Sequence, residues 1–187
     1  MIIDKSQLIA QAYEHTPTKE QLLFCERMSK FLQEEDAYRC FVLKGYAGTG
    51  KTTSVAALVK VLAKFNLRSE LLAPTGRAAK VMSQYSYRKA LTIHKRIYRK
   101  RSAASPEMQF QLAPNLSENT LFIIDEASMI SDEFNETGSS ILRDLLEFVY
   151  NDKNCFVLFV GDTAQLPPVG SLDSPALNEQ YLKDKFA

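Results

Sequence analysis

The stretch Gly45-Tyr-Ala-Gly-Thr-Gly-Lys-Thr52 limits what this chain can become more than any other. It fits G-x-x-x-x-G-K-[ST] and lies between an apolar run, Cys40-Phe-Val-Leu43, and a helical run, Thr53-Ser-Val-Ala-Ala-Leu-Val-Lys-Val-Leu62. Strand, glycine-rich loop and helix in that order make a phosphate-binding P-loop. The glycines let the backbone turn tightly and aim successive N–H groups at phosphate oxygens, with the positive end of the helix dipole behind them. Gly45, Ala47, Gly48, Thr49, Gly50, Lys51, Thr52 and Thr53 are therefore the candidate contacts to a nucleoside triphosphate. Among them Lys51 can reach the β- and γ-phosphates, and the Thr52 hydroxyl is placed to ligand Mg²⁺. A glycine-rich turn that merely opens a helix is the plain alternative. The matched flanks and fixed positions weigh against it.

A second carboxyl-bearing feature completes this chemistry. Thr120-Leu-Phe-Ile-Ile124 reads as a buried strand and closes on Asp125-Glu126. Open α/β sheets place ligand-facing groups at the carboxyl ends of their strands. Downstream of a P-loop this pair is a Walker B signature, with Asp125 holding Mg²⁺ and Glu126 orienting and polarising the attacking water. Helix capping, the plain alternative, suits Ser131 or Asp132 better than the pair itself.

The remaining elements alternate. Residues 1–15 form a weakly helical lead-in, and Thr16-Pro-Thr-Lys-Glu-Gln21 opens a helix with a capping-box pattern between Thr18 and Gln21. Glu70-Leu-Leu-Ala-Pro74 reads as a short buried strand, Thr75 to Met82 as a turn into a helix, and Ala90 to Arg99 as a further helix. Alternation around Met108-Gln-Phe-Gln-Leu112 suggests a strand that pairs with Tyr98 to Arg101 as a hairpin. A helix is expected from about Asp132 to Tyr150, interrupted at Gly138-Ser-Ser140, and Cys155-Phe-Val-Leu-Phe-Val160 is the next buried strand. Strands alternating with helices describe an α/β fold with a mostly parallel sheet flanked by helices.

Composition narrows the class. A chain of 187 residues, 45% hydrophobic and 24% charged, suffices for one soluble domain with a sizeable core. Cys25, Cys40 and Cys155 show neither a disulfide framework nor zinc spacing and read as reduced core thiols. No secretory signal and no membrane-length apolar run is present, so the expected location is cytoplasmic, with no membrane partner. The net charge of +1 is uninformative, but Arg88, Lys89, Lys95, Arg96, Arg99, Lys100 and Arg101 cluster with no acidic residue among them. That cluster is either a solvated helix face or part of a nucleic-acid surface.

Six blocks in order, from about residue 16 to 170, resemble domain 1A of superfamily 1 DNA helicases of the RecD type, the type of the exodeoxyribonuclease V alpha subunit. Thr16 to Gln21 resembles the Q motif, the P-loop motif I, Leu72-Ala-Pro-Thr-Gly-Arg-Ala-Ala79 motif Ia and Thr92-Ile-His94 motif Ib. Ile124-Asp-Glu-Ala-Ser-Met129 resembles motif II and Val160-Gly-Asp-Thr-Ala-Gln-Leu-Pro-Pro-Val-Gly170 motif III. The resemblance implies a RecA-like P-loop NTPase domain using ATP and Mg²⁺, with Gln21 on the adenine edge and Gln165 sensing the γ-phosphate beside the catalytic Lys51 and Glu126. It implies that Thr75, Gly76, Arg77, Thr92 and His94 line a track for single-stranded DNA, although His94 also reads as a core histidine. It places the motif III strand between the P-loop and Walker B strands, and a short duplex-splitting pin at about residues 99–117.

Nothing resembles motifs IV to VI. The resemblance therefore implies that residues 1–187 are a single motor domain of a longer protein. The second RecA-like domain, absent from this chain, would close the ATP cleft and supply an arginine finger. Alone, the chain is expected to bind nucleotide weakly and to unwind nothing. Two rivals are a P-loop kinase and a nucleotide switch or DNA-binding module without catalysis. The Gly-Asp-x-x-Gln-Leu-Pro block argues against the first, and intact Lys51 and Glu126 argue against the second.

Overall fold

The computed structural model of the chain describes residues 4–36, 38–100, 110–134, 138–162, 164 and 174–186. Its centre is a five-stranded parallel sheet of β1 (Cys40–Lys44), β2 (Arg68–Ala73), β3 (Ala90–Thr92), β6 (Thr120–Ile124) and β7 (Cys155–Gly161), in the order β1-β7-β6-β2-β3. Every residue of β6 and β7 is buried, as continuous apolar strands covered on both faces require.

Side chains along the two central strands alternate between two cores. Leu121, Ile123, Phe156, Leu158 and Val160 join the core built with α1 (Lys5–Gln11), α2 (Lys19–Phe31), α3 (Lys51–Val61) and α4 (Gly76–Ser86). Phe122, Ile124, Cys155, Val157 and Phe159 join the core beneath α5 (Ile93–Ile97), α6 (Ile141–Tyr150) and α7 (Glu179–Phe186). The parallel directions bring the loops after all five strands to one edge. No described helix is long and apolar enough to cross a membrane.

Most expected elements are present. The lead-in contains α1, capped by Asp4, and α2 starts with the full capping box of Thr18 and Gln21. The expected hairpin has its stem, β4 (Tyr98–Lys100) antiparallel to β5 (Phe110–Leu112), while residues 101–109 lie outside the described residues.

Two helices differ from expectation. Ala90 to Arg99 is not one helix: Ala90–Thr92 pairs with Leu71–Ala73, the Thr92 hydroxyl then caps a short α5, and Tyr98 already belongs to β4. The pairing with β2 outweighs local helical spacing there. The Asp132–Tyr150 helix starts only at Ile141, because Gly138 takes φ 76° and the Ser140 hydroxyl accepts from the Arg143 amide. Gly138-Ser-Ser140 is thus a helix start, and Ser140 is the cap in place of Ser131 or Asp132. The Asp132 carboxylate instead accepts from the Ser140 and Tyr181 hydroxyls.

An internal ion pair fixes α5 against the sheet. Arg96 pairs with Glu70 of β2, donating from Nη2 to Oε1 at 2.8 Å, and also reaches the Ser117 hydroxyl at 2.9 Å. Its guanidinium lies 4.7 Å from the centre of the Phe148 ring. Burial alone raises the Glu70 pKa, but the hydrogen bonds from Arg96 and Ser117 and the Arg96 charge prevail and hold it below the usual glutamate value. A carboxyl with a depressed folded pKa adds stability above its unfolded value, and that increment is lost as pH falls through the folded one. Glu70→Gln is expected to cost about 1–2 kcal/mol at pH 7 by chemical denaturation. It should also flatten the acid limb of the stability profile, whereas an unchanged limb would remove Glu70 as its source.

Candidate nucleotide-binding site

The P-loop is shaped by what α3 lacks. Asp4, Thr18, Thr75, Thr92 and Ser140 cap α1, α2, α4, α5 and α6 with side-chain oxygens, whereas α3 has Gly50 in that place and no side-chain cap. Its first-turn amides, those of Lys51, Thr52 and Thr53, therefore face an incoming anion instead of a capping oxygen. Gly48 and Gly50 take φ of 78° and 81°, in the left-handed region that side chains disfavour. A Cβ at Gly50 would also strike the Gln21 side-chain amide. That contact places Gln21 directly against the loop, while its Oε1 accepts from the Thr18 amide at 2.9 Å.

Lys51 bends over the loop, and its Nζ donates to the carbonyls of Gly45 at 2.6 Å and Tyr46 at 2.8 Å. The Thr49 hydroxyl also donates to Tyr46 O, at 2.8 Å. Ala47, Thr52 and Thr53 are exposed, so the loop and the first turn of α3 are open to a ligand.

The neighbouring strand ends hold the acidic groups. The Gly45 amide donates to Gly161 O at 3.3 Å, tying the P-loop to the end of β7. On the far side of β7, the Asp125 amide donates to Leu72 O at 3.0 Å and so extends the β6–β2 pairing by one residue. The Asp125 carboxylate is held at both oxygens: Oδ1 accepts from the Glu126 amide at 2.9 Å and Oδ2 from the Tyr85 hydroxyl at 2.7 Å. Glu126 sits at φ 53°, leading into a tight turn over Ala127–Met129. The motif III strand does lie between the P-loop and Walker B strands, as expected. Gln165 itself is outside the described residues.

Tyr85 was not anticipated from the sequence. It lies on the sheet-facing side of α4 with Ala79 and Met82, at helical spacing, and a tyrosine in such a place needs a partner for its hydroxyl. That was the available signal.

The candidate DNA-track residues gather at the ends of β2 and β3. Register pairs Ala73 with Thr92, so the start of α4 and the start of α5 are neighbours. The Thr75 hydroxyl accepts from the Ala78 amide at 3.2 Å and the Thr92 hydroxyl from the Lys95 amide at 3.3 Å, which leaves each hydroxyl proton available. Gly76, Arg77 and His94 are exposed. His94 is thus no core residue: its ring lies 5.6 Å from that of Tyr98. Of the basic cluster, Arg88, Lys89, Lys95 and Arg99 are exposed, whereas Arg96 is committed to Glu70. A separate groove of about 840 Å³, between α2 and α7 beside the first residues of β1, holds none of the motif residues.

Comparison with known proteins agrees with this geometry. A family model described as an AAA domain matches residues 25–176. The chain is 33% identical over 153 residues to the ATP-dependent RecD2 DNA helicase of Deinococcus radiodurans, an alignment covering 82% of this chain and 19% of that protein. It is 28% identical over 147 residues to the ATP-dependent DNA helicase dda of Enterobacteria phage T4, covering 77% of this chain and 30% of that protein. The structure of Bacteroides Pif1 bound to single-stranded DNA matches with a TM-score of 0.51 at 25% identity, over 90% of this chain and 36% of that one. The chain thus spans well under half the length of these relatives. The chain belongs to the AAA domain family, and its P-loop sheet is homologous to the RecA-like motor domain of superfamily 1 helicases.

Proposed function

We propose that this chain is the ATP-binding motor domain of an ATP-dependent DNA helicase, in which hydrolysis drives movement along single-stranded DNA and unwinding by the full-length protein. One observation carries the reading. Along a single sheet edge, the ends of β1 and β6 lead into the P-loop and the Asp125-Glu126 pair on either side of β7, and the adjoining ends of β2 and β3 lead to polar groups suited to a nucleic-acid backbone. Such groups bind phosphate and sugar without reading sequence.

The residues fit ATP with Mg²⁺. Magnesium needs only one or two protein oxygens beside the phosphates. Among the described residues no cluster of three or more His, Cys, Asp or Glu forms a metal cage. Thr52 and Asp125 would hold the ion, which supplies neutralisation of the charge that develops on the β- and γ-phosphates. Lys51 exchanges its carbonyl partners for phosphate oxygens. The open amides of α3 bind the phosphates, Gln21 meets the adenine beside Gly50, and Glu126 orients and polarises the attacking water. Gln165, four residues past the end of β7 in the sequence, senses the γ-phosphate and relays its state. On the DNA side, Thr75, Gly76, Arg77, Thr92 and His94 receive the strand, and the β4–β5 stem supports reading residues 99–117 as a short pin. A second RecA-like domain, supplied by the rest of the protein, contributes the arginine finger, an effect of about 10³ to 10⁵-fold in GTPases. Buried, unpaired Cys25 and Cys155 fit a reducing, cytoplasmic setting.

Three substitutions test this reading. In the full-length protein, Lys51→Ala should weaken binding of a fluorescent ATP analogue at least tenfold. Glu126→Gln should leave that binding intact and lower phosphate release by about 10²-fold or more, the scale of a lost general base. Phosphate transfer to a small acceptor in place of release would favour a kinase, and no turnover in the wild type would favour a switch. Arg77→Ala should weaken oligo-dT binding and reduce its salt slope by about 0.7, as expected for one lost contact to a single strand. An unchanged slope would take Arg77 off the DNA track.

A further inference from the structure

We propose that Tyr85 is a positioning residue for Asp125, holding its carboxylate in the orientation that receives Mg²⁺; this rests on the ATP-site reading above. The Asp125 backbone is already clamped to β2 through its amide and Leu72 O, so the side chain has only its own torsions left to settle. The Glu126 amide fixes Oδ1 and the Tyr85 hydroxyl, at 2.7 Å, fixes Oδ2. Each oxygen keeps a lone pair, and the orientation of the pair is set before any ion arrives.

The donor is itself anchored. Tyr85 lies in the last turn of α4, and its ring packs against the core that contains Met82 and Leu71. Two serines tie that turn down. The Ser83 hydroxyl donates to Ala79 O at 2.8 Å and accepts from the Ala90 amide at 2.8 Å, which joins α4 to the first residue of β3. The Ser86 hydroxyl donates to Met82 O at 2.6 Å and accepts from the Arg88 amide at 3.3 Å. Tyr87, two residues on, is 82% exposed. Tyr85 instead turns inward, between α4 and the end of β6. It also lines a small cavity with Thr52 and Thr53.

Partners of metal-ligating carboxylates orient them, and their loss costs about 10 to 100-fold in metal affinity. Tyr85→Phe removes only the hydroxyl and keeps the ring in its packing. The test titrates Mg²⁺ into the chain with a fluorescent ADP analogue and reads anisotropy, beside affinity in EDTA and thermal unfolding. In Tyr85→Phe the Mg²⁺ midpoint should rise about tenfold, with the EDTA affinity and unfolding temperature close to wild type. Asp125→Asn should raise the midpoint as well, and adding Tyr85→Phe to it should produce no further shift, because the two changes remove one arrangement. Equal midpoints in wild type and Tyr85→Phe would overturn the proposal, as would an equal loss in EDTA, which marks a structural role. If wild type itself shows no Mg²⁺-dependent nucleotide binding, the ATP-site reading falls and the proposal falls with it.

Discussion

Parallel pairing of β7 between β1 and β6 is the constraint on which the rest depends. Because the strands run in one direction, their carboxyl ends emerge together, and because β7 lies between β1 and β6, the P-loop and the Asp125-Glu126 pair flank the end of β7. The pairing is stable because β6 and β7 are apolar at successive positions and are covered on both faces. Thr120 is buried, yet its hydroxyl donates to Glu118 O, so the strand start is satisfied internally. The same alternation that divides the two cores delivers functional side chains only where the strands end.

At that edge, stability has been set aside locally. Six of the described helices carry side-chain caps, α7 among them through Asn178, each worth about 0.5–2 kcal/mol, and the P-loop helix does without one. Glu126 holds a left-handed backbone, a conformation that costs a non-glycine residue about 1–3 kcal/mol. Both features are tolerated because the surroundings over-determine them: Gly45 is bound to Gly161, and Asp125 to Leu72. A nucleotide that bonds the open amides recovers part of what the missing cap forgoes. The fold around the site is otherwise closely satisfied, as the Arg96, Glu70 and Ser117 group shows.

Much of this was legible from residue order. The P-loop, the buried strand ending in Asp125-Glu126 and the Thr18–Gln21 capping box are local patterns, and each formed where its pattern lies. What escaped depends on partners distant in sequence. Ala90–Thr92 looks helical until β2 is available to pair with it, and Gly138-Ser-Ser140 looks like an interruption until Ser140 is seen capping α6. Arg96 belongs to a basic run by composition but is drawn inward by Glu70, a residue 26 positions away. Tyr85 meets Asp125 across 40 positions, a relation that no local pattern encodes. The exposure of His94 likewise follows from which face of α5 the buried Ile93 and Ile97 occupy.

The most direct measurement of the central claim is an amide ¹H–¹⁵N spectrum of the chain titrated with Mg²⁺ and a non-hydrolysable ATP analogue. The largest shifts should fall on Gly48, Gly50, Lys51, Thr52 and Thr53, with a second group at Asp125 and Glu126 across β7. Shifts confined to the groove at Arg39, Cys40, Phe41 and Leu182, with the P-loop amides unmoved, would contradict it.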